Sequence, residues 1–243
     1  NYQRLCFPLD GFKVGAAKFF AAGGLGLNVT VPFKREACDY ASRLDPVAAA
    51  ASAVNTLAMQ HDEVVGYNTD GIGLVRDLED RHKVKLSGVE VLVLGAGGAC
   101  QGIVQPLLDA GVRKITIANR TLAKAVELVN HFRVLGRETS GSETLPESWP
   151  QLAMSGQGPH SAVIMEALDL TQLATSSLNA QLVINSTAIG LDQNAAKALH
   201  NLPANLAKGR ICYDLSYGAQ AHFARWAGVH KASQVFDGLG LLV

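Results

Sequence analysis

The chain has 243 residues with 21 Lys+Arg against 21 Asp+Glu, so its formal net charge is zero; 48% of its residues are hydrophobic and 24 are glycine. A balanced charge without a basic run excludes a nucleic-acid or anionic-membrane surface as the main partner, and the apolar content excludes disorder. No apolar run approaches the roughly 20 residues needed to span a bilayer, and the length suits one large domain or two small ones. The opening NYQRLCFPLDG lacks the charged-then-apolar layout of an export signal, which predicts a cytoplasmic protein. Cys6, Cys38, Cys100 and Cys212 show no CxxC spacing and read as reduced interior thiols; the seven histidines form no cluster, so no metal site is expected.

In chain order, Tyr2–Phe7 is predicted as a strand, Gly11–Ala22 as a helix with Phe19 and Phe20 inward, and Leu27–Val31 as a second strand ended by Pro32. Lys34–Arg43 reads as a helix, and Asp45-Pro46 opens another over Asp45–Ala53. Ala53–Met59 and Glu63–Tyr67 read as a strand pair, and Asp70–Leu78 returns to helical spacing through Ile72, Val75 and Leu78. From Val89 the character changes. Val89–Leu94 is a continuous apolar strand breaking into glycines, followed by a helix at Ala99–Ala110, a buried strand at Lys114–Ala118 and a helix at Leu122–Phe132. Leu182–Asn185 and Arg210–Leu215 are further buried strands, and this alternation is the signature of a parallel sheet covered by helices. The stretch Leu135–Pro159, rich in Gly, Ser, Pro and Glu, reads as a long surface excursion without chemistry.

Gly95-Ala96-Gly97-Gly98-Ala99 follows a buried strand and opens a helix. Glycine there lets the backbone turn sharply and admits a pyrophosphate with no Cβ in the way, while the helix N-terminus offers free N–H groups. A glycine cluster alone also fits a plain tight turn; the flanking strand and helix favour a dinucleotide. About twenty residues on, where an NAD-binding domain carries an acidic residue for the ribose 2′-hydroxyl, stand Asn119, Arg120, Thr121 and then Lys124. A guanidinium and a hydroxyl suit a 2′-phosphate better than a carboxylate would, which points to NADP over NAD.

In the first segment, Asn28 and Thr30 would share one face of a strand with Val29 and Val31 facing the core, and Lys34 follows just beyond. Asn55 and the Asn68-Thr69-Asp70-Gly71 turn add to a set of polar residues at strand ends that could bind a polyol, with Lys34 and Asp70 as a proton-transfer pair. On spacing alone, structural turn residues explain the same set.

Taken in order, NVTVPFK (Asn28–Lys34), AVNTL (Ala53–Leu57), NTDG (Asn68–Gly71), GAGGA (Gly95–Ala99), NRT (Asn119–Thr121), NST (Asn185–Thr187), the Tyr213–Tyr217 run and DGLGLLV (Asp237–Val243) closely resemble the shikimate dehydrogenase family across nearly the whole chain. The resemblance implies reversible NADPH-dependent reduction of 3-dehydroshikimate to shikimate. It also implies an α/β fold: a substrate domain over residues 1–78, a Rossmann-like doubly wound parallel sheet over 79–236, a return segment from 237 to 243, and a cleft between the domains. Lys34 would match the catalytic lysine and Asp70 its partner; Asn28, Thr30, Asn55 and Tyr217 would match substrate ligands. Gly95, Gly97, Gly98 and Ala99 would hold the pyrophosphate, Asn119, Arg120, Thr121 and Lys124 the adenosine phosphate, and Thr187, Leu215, Gly238 and Leu241 would lie near the nicotinamide. The expected partner is a small molecule, with no nucleic acid and no membrane, on a monomer or homodimer.

Three departures from the family accompany the resemblance. A first strand bearing a Ser-x-Ser pair is expected before Tyr2, a closing helix with a substrate-contacting glutamine is expected after DGLGLLV, and the stretch from Asn119 to Asn185 is longer than usual. Two rival readings are a related quinate or shikimate dehydrogenase using NAD, and a non-catalytic dinucleotide-binding sensor.

Overall fold

A computed structural model describes residues 2–138, 163–187, 199 and 201–242, and the chain divides into two units, Asn1–Asp70 and Gly71–Val243. The first unit holds α1 (Phe12–Ala21), β1 (Gly26–Asn28), α2 (Lys34–Tyr40), β2 (Arg43–Leu44), α3 (Pro46–Ala51), β3 (Thr56–Gln60) and β4 (Glu63–Tyr67). Its sheet runs β1-β3-β4-β2, with β1 and β4 antiparallel to β3. Phe12, Ala16 and Phe20 recur at helical spacing on α1 and bury against Val29, Ala37, Ala48, Val54 and Leu57. Phe12 stacks on Phe33 at 5.4 Å, and Phe20 on Tyr40 at 6.2 Å. The Asp45 carboxylate caps α3 by accepting the Ala48 N–H at 2.6 Å, with Pro46 in the first helical turn.

Several expected boundaries move. Tyr2–Phe7 forms no strand, and β1 stops at Asn28. Thr30 therefore lies past the strand in an exposed turn closed by the Phe33 N–H on its carbonyl at 3.0 Å, so Asn28 and Thr30 do not share a strand face. Val29 is buried as expected, but Val31 is 50% exposed. Cys100 and Cys212 are buried free thiols, whereas Cys6 is exposed.

The second unit is a six-stranded, all-parallel sheet. α4 (Asp70–Arg76) begins on the last residue of the first unit and runs into a π-helical turn at Asp77–Arg81. Then follow β5 (Glu90–Leu94), α5 (Gly98–Asp109), β6 (Lys114–Asn119), α6 (Leu122–Glu138), β7 (Ile164–Asp169), β8 (Leu182–Asn185), β9 (Ile211–Asp214), α7 (His222–Val229) and β10 (Gln234–Asp237). Their order, β10-β9-β8-β5-β6-β7, is that of the doubly wound dinucleotide-binding fold, in which the strand order reverses between the first and fourth strands. Here that point lies between β5 and β8. β5 is apolar through its buried Val91–Leu94 stretch and β8 through Leu182–Ile184, up to the buried Asn185 at its end, as sheets covered on both faces require. Leu135 to Glu138 continue α6 instead of opening the expected excursion; the rest of Leu135–Pro159 lies outside the described residues.

Among the described residues no helix is long and apolar enough to cross a membrane.

Candidate active site

Sheet register explains why residues far apart in the first unit converge. Antiparallel pairing sets Asn28, the last residue of β1, opposite Thr56, the first of β3, and sets Thr56 opposite Tyr67, the last of β4. The ends of β1 and β4 thus meet the start of β3. The Val29 N–H bonds the Asn55 carbonyl at 2.7 Å, and the Asn55 N–H bonds that of Tyr67 at 2.9 Å. The Val54 N–H bonds the Lys34 carbonyl at 2.9 Å, which ties the first residue of α2 to the same corner.

The side chains on that corner form one chain of hydrogen bonds. Lys34 Nζ pairs with Asp70 Oδ2, and Asn55 Nδ2 donates to Asp70 Oδ1 at 2.8 Å. Asn55 Nδ2 also reaches Thr69 Oγ1 at 3.0 Å, while Asn55 Oδ1 accepts the Thr56 hydroxyl at 3.0 Å and the Thr69 N–H at 3.1 Å. Asn28 Nδ2 donates to Thr56 Oγ1 at 3.4 Å, and Tyr2 donates its phenol to Asn28 Oδ1 at 3.1 Å. Behind them, buried Asn68 donates to the Ala53 carbonyl at 3.0 Å and accepts the Asp70 N–H at 3.1 Å, fixing the turn that presents Asp70. The Lys34 and Asp70 side chains retain 14% and 11% exposure, so the pair is sheltered yet open to a small molecule.

Lys34, Asp70, Asn55 and Asn28 are brought together as expected; Thr30 stays outside the network. Thr56, Thr69 and Asn68 complete it; the spacing places the Asn68–Gly71 turn in the polar set but gives none of these three its partner. Tyr217 belongs to the second unit, where it is 48% exposed just past β9.

In the second unit the glycine turn has the backbone that a dinucleotide needs. Gly95 is buried with φ +101°, a left-handed region that disfavours any side chain, and a Cβ there would meet Thr187 Cγ2 at 2.9 Å and Ser186 Oγ at 3.0 Å. Gly97 precedes α5, and nothing lies within 4 Å of where its Cβ would be. Gly98 and Ala99 then open a 12-residue helix whose first N–H groups have no partner within the helix. At the end of β6, Asn119 Nδ2 donates to the Thr121 carbonyl at 2.9 Å. Arg120, Thr121 and Lys124 are exposed, and neither cation makes an ion pair among the described residues. An open glycine cradle and two uncommitted cations fit a phosphorylated dinucleotide.

Beyond β8 and β9, the Leu215 N–H bonds the Asn185 carbonyl at 3.0 Å and the Gly238 N–H bonds that of Ser216 at 3.0 Å. A Cβ on Gly238 would collide with the Leu215 carbonyl, so this close approach requires glycine. Leu241 runs against Gly73 of α4. The buried pair Asn185–Asp214 organises this edge: Asn185 Nδ2 donates to Asp214 Oδ1 at 2.9 Å. Burial pushes the Asp214 carboxyl up, against hydrogen bonds from Asn185, Ser216, Ala224 and Phe223 that hold it down. The NST and Tyr213–Tyr217 runs contained both residues, but nothing in their spacing showed that they pair.

Residues 1–57 match the family described as the shikimate dehydrogenase substrate binding domain, and residues 77–147 match that of shikimate / quinate 5-dehydrogenase. The chain is 42% identical to a shikimate dehydrogenase (NADP(+)) of Alkalilimnicola ehrlichii, an alignment spanning all of this chain and 78% of that protein. It is 39% identical to the enzyme of the same name from Laribacter hongkongensis, again over all of this chain and 78% of the relative. Among solved structures, an Ael1 enzyme from Pseudomonas putida matches with a TM-score of 0.73 at 31% identity, covering 97% of this chain and 75% of that one.

Proposed function

The chain belongs to the shikimate dehydrogenase family and is an NADP-dependent oxidoreductase; we propose that it interconverts 3-dehydroshikimate and shikimate, with Lys34 and Asp70 as the proton-transfer pair. The observation that carries the residue roles is the hydrogen-bonded corner in which Asp70 holds Lys34 through one oxygen and Asn55 through the other.

NADPH, when bound, supplies the hydride. Reduction of the ketone builds negative charge on its oxygen, and the Lys34 ammonium delivers the proton there; in the reverse direction the neutral amine takes it back. Asp70 keeps Nζ aimed and, with Asn55, Asn28 and Thr30, offers acceptors and donors to the hydroxyls of a polyol. Tyr217 adds a phenol for the substrate. Gly95, Gly97, Gly98 and Ala99 cradle the pyrophosphate, and Asn119, Arg120, Thr121 and Lys124 take the adenosine side with its 2′-phosphate. Thr187, Leu215, Gly238 and Leu241 line the nicotinamide. A cytoplasmic monomer or homodimer acting on this small molecule completes the reading.

The test is the absorbance of NADPH with 3-dehydroshikimate, and in reverse with shikimate or quinate. Turnover should be highest with the shikimate pair and NADP(H), and Lys34→Ala should lower it by about two to four orders of magnitude, the usual size of a general acid–base contribution. Near-wild-type turnover in Lys34→Ala would remove the lysine from the chemistry. Quinate turnover with a preference for NAD would replace the substrate reading, and binding without any cofactor reduction would leave a sensor.

A further inference from the structure

The carboxyl ends of β5 and β8 flank the point where the strand order reverses, and Thr187 stands there over the glycine turn. Its methyl faces Gly95, close enough that a Cβ on that glycine would lie 2.9 Å away. Its hydroxyl is 2.6 Å from Asn185 Oδ1, and its N–H bonds the same oxygen at 3.2 Å. The N–H contact alone is an ordinary local turn. The hydroxyl contact, and what stands behind it, go further.

Asp214 is fully buried, and its two oxygens face four N–H donors: Asn185 Nδ2 at 2.9 Å and the Ser216 N–H at 3.1 Å on Oδ1, and the Phe223 and Ala224 N–H groups at 2.9 and 3.2 Å on Oδ2. The three backbone N–H groups can only donate to the Asp214 carboxylate, and the Thr187 N–H, which also can only donate, meets the opposite end of the Asn185 amide. That fixes which way the Asn185 amide faces: its NH₂ towards Asp214, its carbonyl towards Thr187. A threonine hydroxyl has one proton, and here the Asn185 carbonyl takes it. With both substituents on its Cβ pinned, Thr187 keeps only oxygen lone pairs for a ligand.

We propose that Asn185 and Asp214 are positioning residues that hold Thr187 as an obligate hydrogen-bond acceptor, and that the group it receives is the carboxamide N–H of the nicotinamide. This rests on the cofactor reading above, which puts Thr187 beside that ring. The carboxamide is the only hydrogen-bond donor the ring carries, so an acceptor-only hydroxyl selects for it and fixes the ring's rotation about its glycosidic bond.

The experiment compares NADP with its 3-acetylpyridine analogue, in which a methyl group replaces the carboxamide NH₂, by calorimetric titration. Thr187→Val keeps shape and removes the acceptor. It should weaken NADP binding by about three- to tenfold, the worth of one net hydrogen bond, and leave the analogue's affinity unchanged. Thr187→Ser should behave as wild type. Asn185→Ala should shrink the NADP-to-analogue ratio in the same way, because a hydroxyl released from its anchor can turn its proton outward. A merely structural loss would weaken both ligands alike and preserve the ratio. The Thr187 pair carries the test if Asn185→Ala fails to fold. Equal effects of Thr187→Val on both ligands, or none on either, overturn the inference. Wild-type turnover of shikimate with NADP, measured alongside, reports on the function separately: turnover together with an unchanged ratio in Thr187→Val sinks the hydrogen bond and leaves the enzyme standing.

Discussion

Asp45 accepts the Ala48 N–H while its residue is only 7% exposed, and burial raises its carboxyl above the ordinary range despite the hydrogen bonds it receives. The folded chain therefore holds this proton more tightly than the unfolded chain does. Its contribution to stability is full below the unfolded carboxyl value of about 4 and is lost as pH rises through the higher folded value. Asn caps helices about as well as Asp and does not titrate. Asp45→Asn should thus gain stability relative to wild type between pH 4 and pH 7, read as a rising difference in urea midpoints. A difference that shrinks over that range would reverse the sign and refute the assignment. Thiol chemistry is set by burial in the same way. Burial pushes the Cys100 and Cys212 thiols up to about 12, so both stay protonated and unreactive at neutral pH, while Cys6 lies exposed.

Between elements, Tyr213 of β9 donates its phenol to Asp77 Oδ2 at 2.7 Å in a fully buried contact, and Asp77 sits in the π-helical turn after α4. Burial, then Asp77 itself, holds that phenol well above its ordinary range, so it remains a donor. His82 and Arg81 stand 3.5 and 3.8 Å from the same carboxylate, His82 stacks on Phe236 of β10, and Gly240 packs so closely on Asp77 that no side chain would fit there. Tyr213→Phe leaves the carboxylate short of its best donor and should cost about 1–3 kcal/mol. Thermal unfolding should fall by roughly 2–4 °C per kcal/mol, and by less in an Asp77→Asn background, since the two act on one contact. An unshifted midpoint would show that the bond contributes nothing. β5 and β8 were legible in the sequence because both of their faces are buried and consecutive apolar residues, Val91–Leu94 and Leu182–Ile184, mark them, and α5 because its buried Cys100, Ile103, Val104 and Leu107 recur at helical spacing. β7 and β10, the two ends of the sheet, were not recognised. A strand paired on one side only is partly exposed, and in β7 Met165 is its only fully buried residue, so no continuous apolar run marks it. At the candidate site the residue types were legible as motifs. The hydrogen bonds that link Asn28 to Thr56 and Asn185 to Asp214 depend on register between distant strands, which local spacing does not encode.

For the whole molecule, a net charge of zero means there is no overall field to draw anionic ligands in, so recognition of a polyanionic cofactor depends on charges placed locally. Arg120 and Lys124 are such charges: both lie exposed at and just beyond the end of β6, with no carboxylate partner among the described residues. A charge-assisted bond to a phosphate is worth more than a neutral one, though solvent screens it at an exposed site. Arg120→Ala combined with Lys124→Ala should raise the KM for NADPH by about tenfold and leave that for NADH nearly unchanged, because only NADPH presents a 2′-phosphate. Salt makes the same distinction. The screening length is about 10 Å at 0.1 M ionic strength and about 3 Å at 1 M, so added salt should raise the wild-type KM for NADPH and barely move it in the double variant. Parallel salt curves for the two proteins would place the phosphate's cation elsewhere. An NADH constant that climbs together with the NADPH constant would mean that the two residues support the loop and not the phosphate.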